Sequence, residues 1–263
     1  MPFISEDDIN RGISTVKKIL AILLVVMIAL LSVSLTTAEG SASVKEGDIV
    51  TFGRYPQTAE GTDQTPIEWI VLELQDGKAL VISRYGLDVN LFYMENVDVT
   101  WETCSLRAWL NSDFLNTAFT PEEQAAIPVT EVDNSAEQGF GEWNMNGGNN
   151  TQDHVFLLSY AEANRYFGLT SEENIKTRVQ PTDYAAGKGA WSISDCVTES
   201  GAEAGWWWLR SPGFNPAFTK GYFACVMNDG RLYYGSVDFL VACYRPALWI
   251  NLESDIFKVE NPQ

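Results

Sequence analysis

The sequence predicts an α+β fold, a twisted antiparallel sheet with flanking helices. Three observations carry that expectation. Strand-like runs stand first and last with helical stripes between them, and no βαβ alternation links them. Two apolar runs, residues 66–74 and 79–83, meet across Asp76-Gly77, a pair suited to a tight hairpin turn. Aromatic residues make up 12% of the 263-residue chain and include nine Trp, which suits a β-rich core.

Taken in order, residues 49–53 (IVTFG) read as a first strand and 66–74 (PIEWIVLEL) as a second, stronger one. Residues 105–117 place Leu106, Trp109, Leu110 and Phe114 on one helical stripe. Thr120-Pro121-Glu122-Glu123 is a capping box with Pro at the first helical position, for a helix reaching about residue 127. Residues 155–158 (VFLL) read as a strand. Ser159-Tyr160-Ala161-Glu162 caps a helix that should stop at Gly168, and residues 170–173 should start another. Between the helices, residues 133–153 lack any period, and so long a loop in a small domain marks function or mobility. The last third is β again: residues 206–213, 222–227, a turn at Asn228-Asp229-Gly230, residues 231–234, and a closing segment 244–252.

The N-terminus is set apart. Residues 19–35 (ILAILLVVMIALLSVSL) carry no charge and follow Lys17-Lys18, as an export segment requires. Thr36-Thr37-Ala38 offers small residues for cleavage before Glu39. A retained anchor is the rival, since such a run is at the lower edge of bilayer-spanning length; a buried core helix is the third alternative. The expected organisation is a signal peptide or membrane anchor over 1–38, a linker over 39–46, and one domain over 47–263. Either leader implies an extracytoplasmic protein, secreted or held at the cell surface through residues 19–35.

Charge excludes one class of partner. The chain has 17 Lys and Arg against 35 Asp and Glu, a formal charge of −18, and nucleic-acid binding needs a basic footprint. The single histidine, His154, precedes an apolar run and gives a His-rich metal site no material. The four cysteines, Cys104, Cys196, Cys225 and Cys243, show no CxxC spacing, so zinc and thioredoxin-like chemistry are not indicated. Cys225 and Cys243 are the first choice for a bridge in an exported protein, with free buried thiols as the alternative.

Several segments together resemble a bacterial domain family of unknown function, common in Gram-positive anaerobes. They are TWETCSLRAWLNSDFLNTAF (100–119), HVFLLSYAEANRYF (154–167), WWLRSPG (207–213), YFACVMNDG (222–230) and YRPALWINL (244–252). The closing order of Trp-rich strand, turn, strand and aromatic-Arg-Pro is also similar to the C-type-lectin-like fold in its formylglycine-generating (sulfatase-modifying) branch. That resemblance implies long loops gathered on one side of the sheet. It does not imply that branch's oxidase chemistry here, because Cys225 and Cys243 are eighteen residues apart rather than about five.

For chemistry, carboxylates are plentiful (Glu68, Glu73, Asp88, Asp183, Asp229, Asp238), but linear sequence does not set the separation a glycosidase pair needs. Calcium is a candidate cofactor through the 133–153 loop, with Glu142 and Asp153 as ligands, although no EF-hand spacing is present. Trp207 of the Trp206-Trp207-Trp208 run is a candidate for stacking on a sugar, with Arg210, Asn228 and Asp229 as its polar neighbours; the competing reading puts the rings in the core. Arg210 and Arg245 equally suit burial against an acid such as Glu68 or Glu102. The expected function is a non-catalytic binding or surface-interaction module for a glycan or protein ligand. A carboxylate-based extracellular hydrolase and a purely structural domain are the alternatives.

Overall fold

Two five-stranded sheets share one hydrophobic core in the computed structural model, which describes residues 44–140, 147–213, 221–254 and 256–259. The apolar run 19–35 lies outside the described residues. Among the described residues no helix is long and apolar enough to cross a membrane. The chain from Val44 onward forms one compact unit.

The hairpin forms as expected. Strands β1 (Ile49–Tyr55), β2 (Thr65–Gln75) and β3 (Lys78–Ser83) run antiparallel in sequence. Asp76 and Gly77 join β2 to β3 with φ of 50° and 73°, the two left-handed residues that a tight hairpin turn demands. Ile67, Trp69 and Val71 alternate inward at 0–1% exposure, the period of a half-buried strand. β4 (Asp88–Val89) follows.

The helical stripe over 105–117 is real but not one regular helix. α1 (Ser105–Trp109) passes through a π turn at Leu110–Phe114 into α2 (Leu115–Ala118). Leu106, Leu110 and Phe114 reach zero exposure, and the wider turn keeps them on one face. α3 (Pro121–Ala125) starts on the Thr120/Glu123 capping box, with both reciprocal bonds made.

Two expectations fail here because other groups take the backbone bonds. Residues 155–158 are buried, yet only Phe156 bridges to another strand, at Ala247. Leu158 O accepts from the Arg210 backbone N, and side chains supply other bonds. Asn111 Oδ1 accepts from Val155 N at 3.1 Å, its Nδ2 donates to Val155 O, and Arg210 donates to Leu157 O at 2.7 Å. The strand pair nearby is instead β5 (Thr130–Val132) with β6 (Thr151–Asp153), which brackets the long loop. Residues 170–173 do not start a helix. The Thr170 hydroxyl accepts from Glu172 N, and Thr170 O accepts from Leu232 N, so a side-chain turn replaces the first helical bonds. α4 (Tyr160–Phe167) before them has the expected Ser159/Glu162 capping box and ends at left-handed Gly168.

The remainder is α5 (Asp183–Gly187), β7 (Ser192–Val197), β8 (Glu203–Gly205), β9 (Trp207–Pro212), β10 (Tyr222–Val226), β11 (Leu232–Ser236), β12 (Cys243–Tyr244), β13 (Ala247–Asn251) and β14 (Lys258–Val259). One sheet has the order β13-β3-β2-β1-β14. The other has β11-β10-β9-β12-β4, with β12 parallel to β9 and its remaining pairs antiparallel. The expected single sheet is thus two. Arg245 and Pro246 carry the chain from one to the other, and Pro246 O accepts from Ser83 N at 2.9 Å.

Candidate functional site

β9 is the centre of the second sheet, with β10 and β12 on its two sides. Trp207, Trp208, Leu209, Arg210 and Ser211 along it are all buried. Alternation therefore exposes neither face, as in a strand covered on both sides. Trp207, the expected stacking residue, is at 0% exposure, with its Nε1 donating to Thr177 O at 2.9 Å. It has no free ring face for a ligand and belongs to the core.

Arg210 is buried as well. Its guanidinium forks onto the Glu162 carboxylate, with Nη2 at 2.8 Å from Oε1, and it also donates to Leu157 O and Asp133 O. Its acid partner is thus Glu162 of α4. Glu68 pairs with Arg84 at 2.6 Å, and Glu102 accepts from Asn149. Burial alone would push the Glu162 carboxyl up; the Arg210 charge and the Ser159 hydrogen bonds outweigh it and leave it below its ordinary value.

Arg245 differs. It is 3% exposed, and no carboxylate among the described residues pairs with it. Its Nε donates to Ser83 O at 2.7 Å, and the guanidinium carbon sits 5.2 Å from both the Phe167 and the Trp207 ring centroids. Its Nη1 is buried without a hydrogen-bond partner. Burial pushes it down to about 10.

Asn228 and Asp229 occupy the β10–β11 turn as expected. Asp229 is held by its neighbour Arg231, with Oδ2 at 2.6 Å and 2.9 Å from two guanidinium nitrogens. Asn228 Oδ1 accepts from Trp206 Nε1 at 3.1 Å. Of the calcium ligands, Glu142 lies outside the described residues. Asp153 is buried, and both of its oxygens are taken, by Arg107 Nε (2.6 Å), Trp101 Nε1 (2.9 Å) and the Thr151 hydroxyl (2.7 Å). No cluster of three or more His, Cys, Asp or Glu able to hold a metal occurs among the described residues. The Cys225–Cys243 bridge is not formed, and all four cysteines are free thiols. β9 runs between the two: Cys225 pairs with Trp208 and Cys243 with Trp207. Two strand spacings of about 4.8 Å separate them, beyond the reach of a disulfide. His154 Nδ1 lies 2.9 Å from Ile127 O, a structural contact.

What the structure assembles on its surface is a row of rings. Trp191 and Trp206 face each other across the open end of the β7–β8 hairpin, with centroids 5.6 Å apart and planes at 32°. The pairing of Ser192 with Gly205 places them opposite. Tyr233 of β11 extends the row, 5.5 Å from Trp206. Trp191 is 50% and Tyr233 47% exposed. The Asn228 bond holds the Trp206 indole. Exposed apolar residues Phe239 and Leu240 lie beside it in sequence register, where Val241 O accepts from Trp191 N at 2.9 Å. Neither Trp191 nor Tyr233 stood out in the sequence. The one signal was Trp191 in a largely polar stretch (GKGAWSIS), with only Ala190 and Ile193 as apolar neighbours.

Among the described residues carboxylates do not converge comparably. Glu68 and Asp183 line one open concavity of about 250 Å3 with Tyr85 and Gln180, but Glu68 is already committed to Arg84.

Residues 76–252, about two thirds of the chain, match the family described as Domain of unknown function (DUF6273). The chain belongs to the DUF6273 family. The match begins at the β2–β3 turn and ends just after β13. β1, β2 and β14 therefore lie outside it, although they hydrogen-bond into the same sheet as β3 and β13. It contains all three rings of the DUF6273 surface row, together with Arg210 and Arg245. No curated protein and no solved structure matches the chain.

Proposed function

We propose that this DUF6273 domain is a non-catalytic carbohydrate-binding module, extracytoplasmic and secreted or tethered through residues 19–35. The observation that carries the reading is the surface row Trp191–Trp206–Tyr233, in which Trp191 and Tyr233 are exposed and Trp206 between them is partly buried. Exposed rings beside one that a hydrogen bond holds offer apolar faces to sugar rings, and an exposed apolar patch of this kind marks an interaction surface. The role first expected for Trp207 passes to Trp206 and Trp191. The aromatic-Arg-Pro ending, Tyr244-Arg245-Pro246, supports a lectin-like relationship, and Lys17-Lys18 before an uncharged run supports export.

The test is tryptophan-fluorescence titration of the full-length protein with chito-oligosaccharide, cello-oligosaccharide and xylo-oligosaccharide, repeated with Trp191→Ala. One of these sugars should bind, and the substitution should weaken it tenfold or more with the melting temperature unchanged. Absence of binding to all three, or equal binding by the variant, overturns the reading. Release of new reducing ends from a bound sugar, lost in Asp183→Asn, would replace it with the hydrolase alternative.

A further inference from the structure

We propose that the cavity beside Arg245 binds a small organic oxyanion, a carboxylate or a phosphate ester. The cavity holds about 180 Å3, the volume of roughly six waters. Four cationic side chains line it, Arg84, Lys176, Arg178 and Arg245, and Glu199 is the only acid among the described residues that do. In a chain of charge −18 that local excess runs against the composition.

The cations are only partly neutralised. Glu68 holds Arg84 at 2.6 Å, and Glu173 reaches Arg178 at 3.8 Å. Among the described residues no carboxylate pairs with Lys176 or Arg245. Two buried donors lack partners, Arg245 Nη1 and Arg178 Nε. A buried guanidinium without a counter-ion is costly, and an oxyanion in the cavity supplies that charge, since the fork geometry of arginine matches carboxylate and phosphate. Thr198 and Ser200 also line the cavity, and Phe167, Ile70 and Ile175 give the wall an apolar side. That mixed lining fits an organic anion better than a bare inorganic one. The β7–β8 hairpin brings its Thr198–Ser200 turn to this cavity and its open end to the ring row. None of Trp191, Trp206 and Tyr233 lines the cavity.

The test is isothermal titration calorimetry of the full-length protein in low-chloride, phosphate-free buffer, with succinate and with glycerol phosphate. Saturable 1:1 binding is expected for at least one, and which one distinguishes carboxylate from phosphate. Arg245→Gln should weaken it by tenfold or more, and Lys176→Gln, at an exposed position, by about threefold. If Arg245→Gln does not fold, the Lys176 variant decides. Trp191→Ala should leave anion binding intact, so failure of the carbohydrate reading does not touch this one. No heat with either anion, or affinity unchanged in the folded variants, overturns the proposal.

Discussion

The Glu162 carboxylate serves two partners at once: it receives the Arg210 guanidinium fork from β9 and closes the capping box of α4 by accepting from Ser159 N at 2.8 Å. One side chain thereby ties the central strand of the second sheet to the start of a helix. The Ser211 hydroxyl reinforces the joint, accepting from Tyr160 N and donating to Gln138 O.

Removing Arg210 strands the Glu162 carboxylate, whereas removing the Ser159 hydroxyl takes away its bond from Glu162 N. Arg210→Met should cost about 3 kcal/mol, the typical penalty for breaking a buried pair from one side. Ser159→Ala should cost only about 1 kcal/mol. Urea denaturation of both variants measures this; equal losses would show that the ion pair adds nothing beyond the cap.

Acid should unfold the domain through these carboxyls. Glu162, Asp133 and Asp229 all lie below their ordinary values; burial pushes each up, and it is overcome by Arg210 and Ser159 at Glu162, by hydrogen bonds from Ser135 and Gln138 at Asp133, and by Arg231 at Asp229. A carboxyl lowered in the folded state stabilises above its unfolded value and loses that contribution as pH falls through the folded one. The melting temperature should therefore hold between pH 7 and about 5 and fall below about 4.5. Glu162→Gln should flatten the lower part of that curve. An identical curve would assign the acid sensitivity elsewhere.

Thiol labelling should separate the cysteines sharply. Burial pushes Cys104 and Cys243 up to about 12, and Cys225 is raised too by burial, so little reactive thiolate forms at these sites. Cys196 on β7 is half-buried. At pH 8 the native protein should take up one equivalent of reagent, at Cys196, and four in denaturant. Fewer than four in denaturant would reveal a disulfide.

Gly230 closes the β10–β11 turn with φ of 88°, and an added Cβ would fall 1.9 Å from Asn174 O. Gly230→Ala should destabilise by roughly 1–3 kcal/mol, the cost of forcing an L side chain into such backbone. It should also disturb the Asn228 bond to Trp206, weakening sugar binding in the same fluorescence titration. Unchanged stability and binding would show that the turn relaxes freely.

Local information was enough for the α+β class, the Asp76-Gly77 hairpin, both capping boxes and the Gly168 helix stop, because each depends on residues within about four positions of one another. The failures lie where groups distant in sequence take the backbone bonds: Asn111 and Arg210 bond to residues 155, 157 and 158, and the Leu232 N–H captures Thr170 O. The candidate site divides the same way. Asn228 and Asp229 were legible as a turn, and Arg210 as a buried cation. Its partner was not, since Glu162 lies 48 residues away. Which of the three consecutive tryptophans remains accessible is a property of sheet order. β10 and β12 flank β9 and bury Trp207 and Trp208, while Trp206 just precedes the strand and meets Trp191 from another hairpin. The chain alone determined its charge, its apolar run at residues 19–35 and its local turns. Only the tertiary structure decided the ring row and the cationic cavity, because both are built from residues far apart in sequence that sheet pairing brings together.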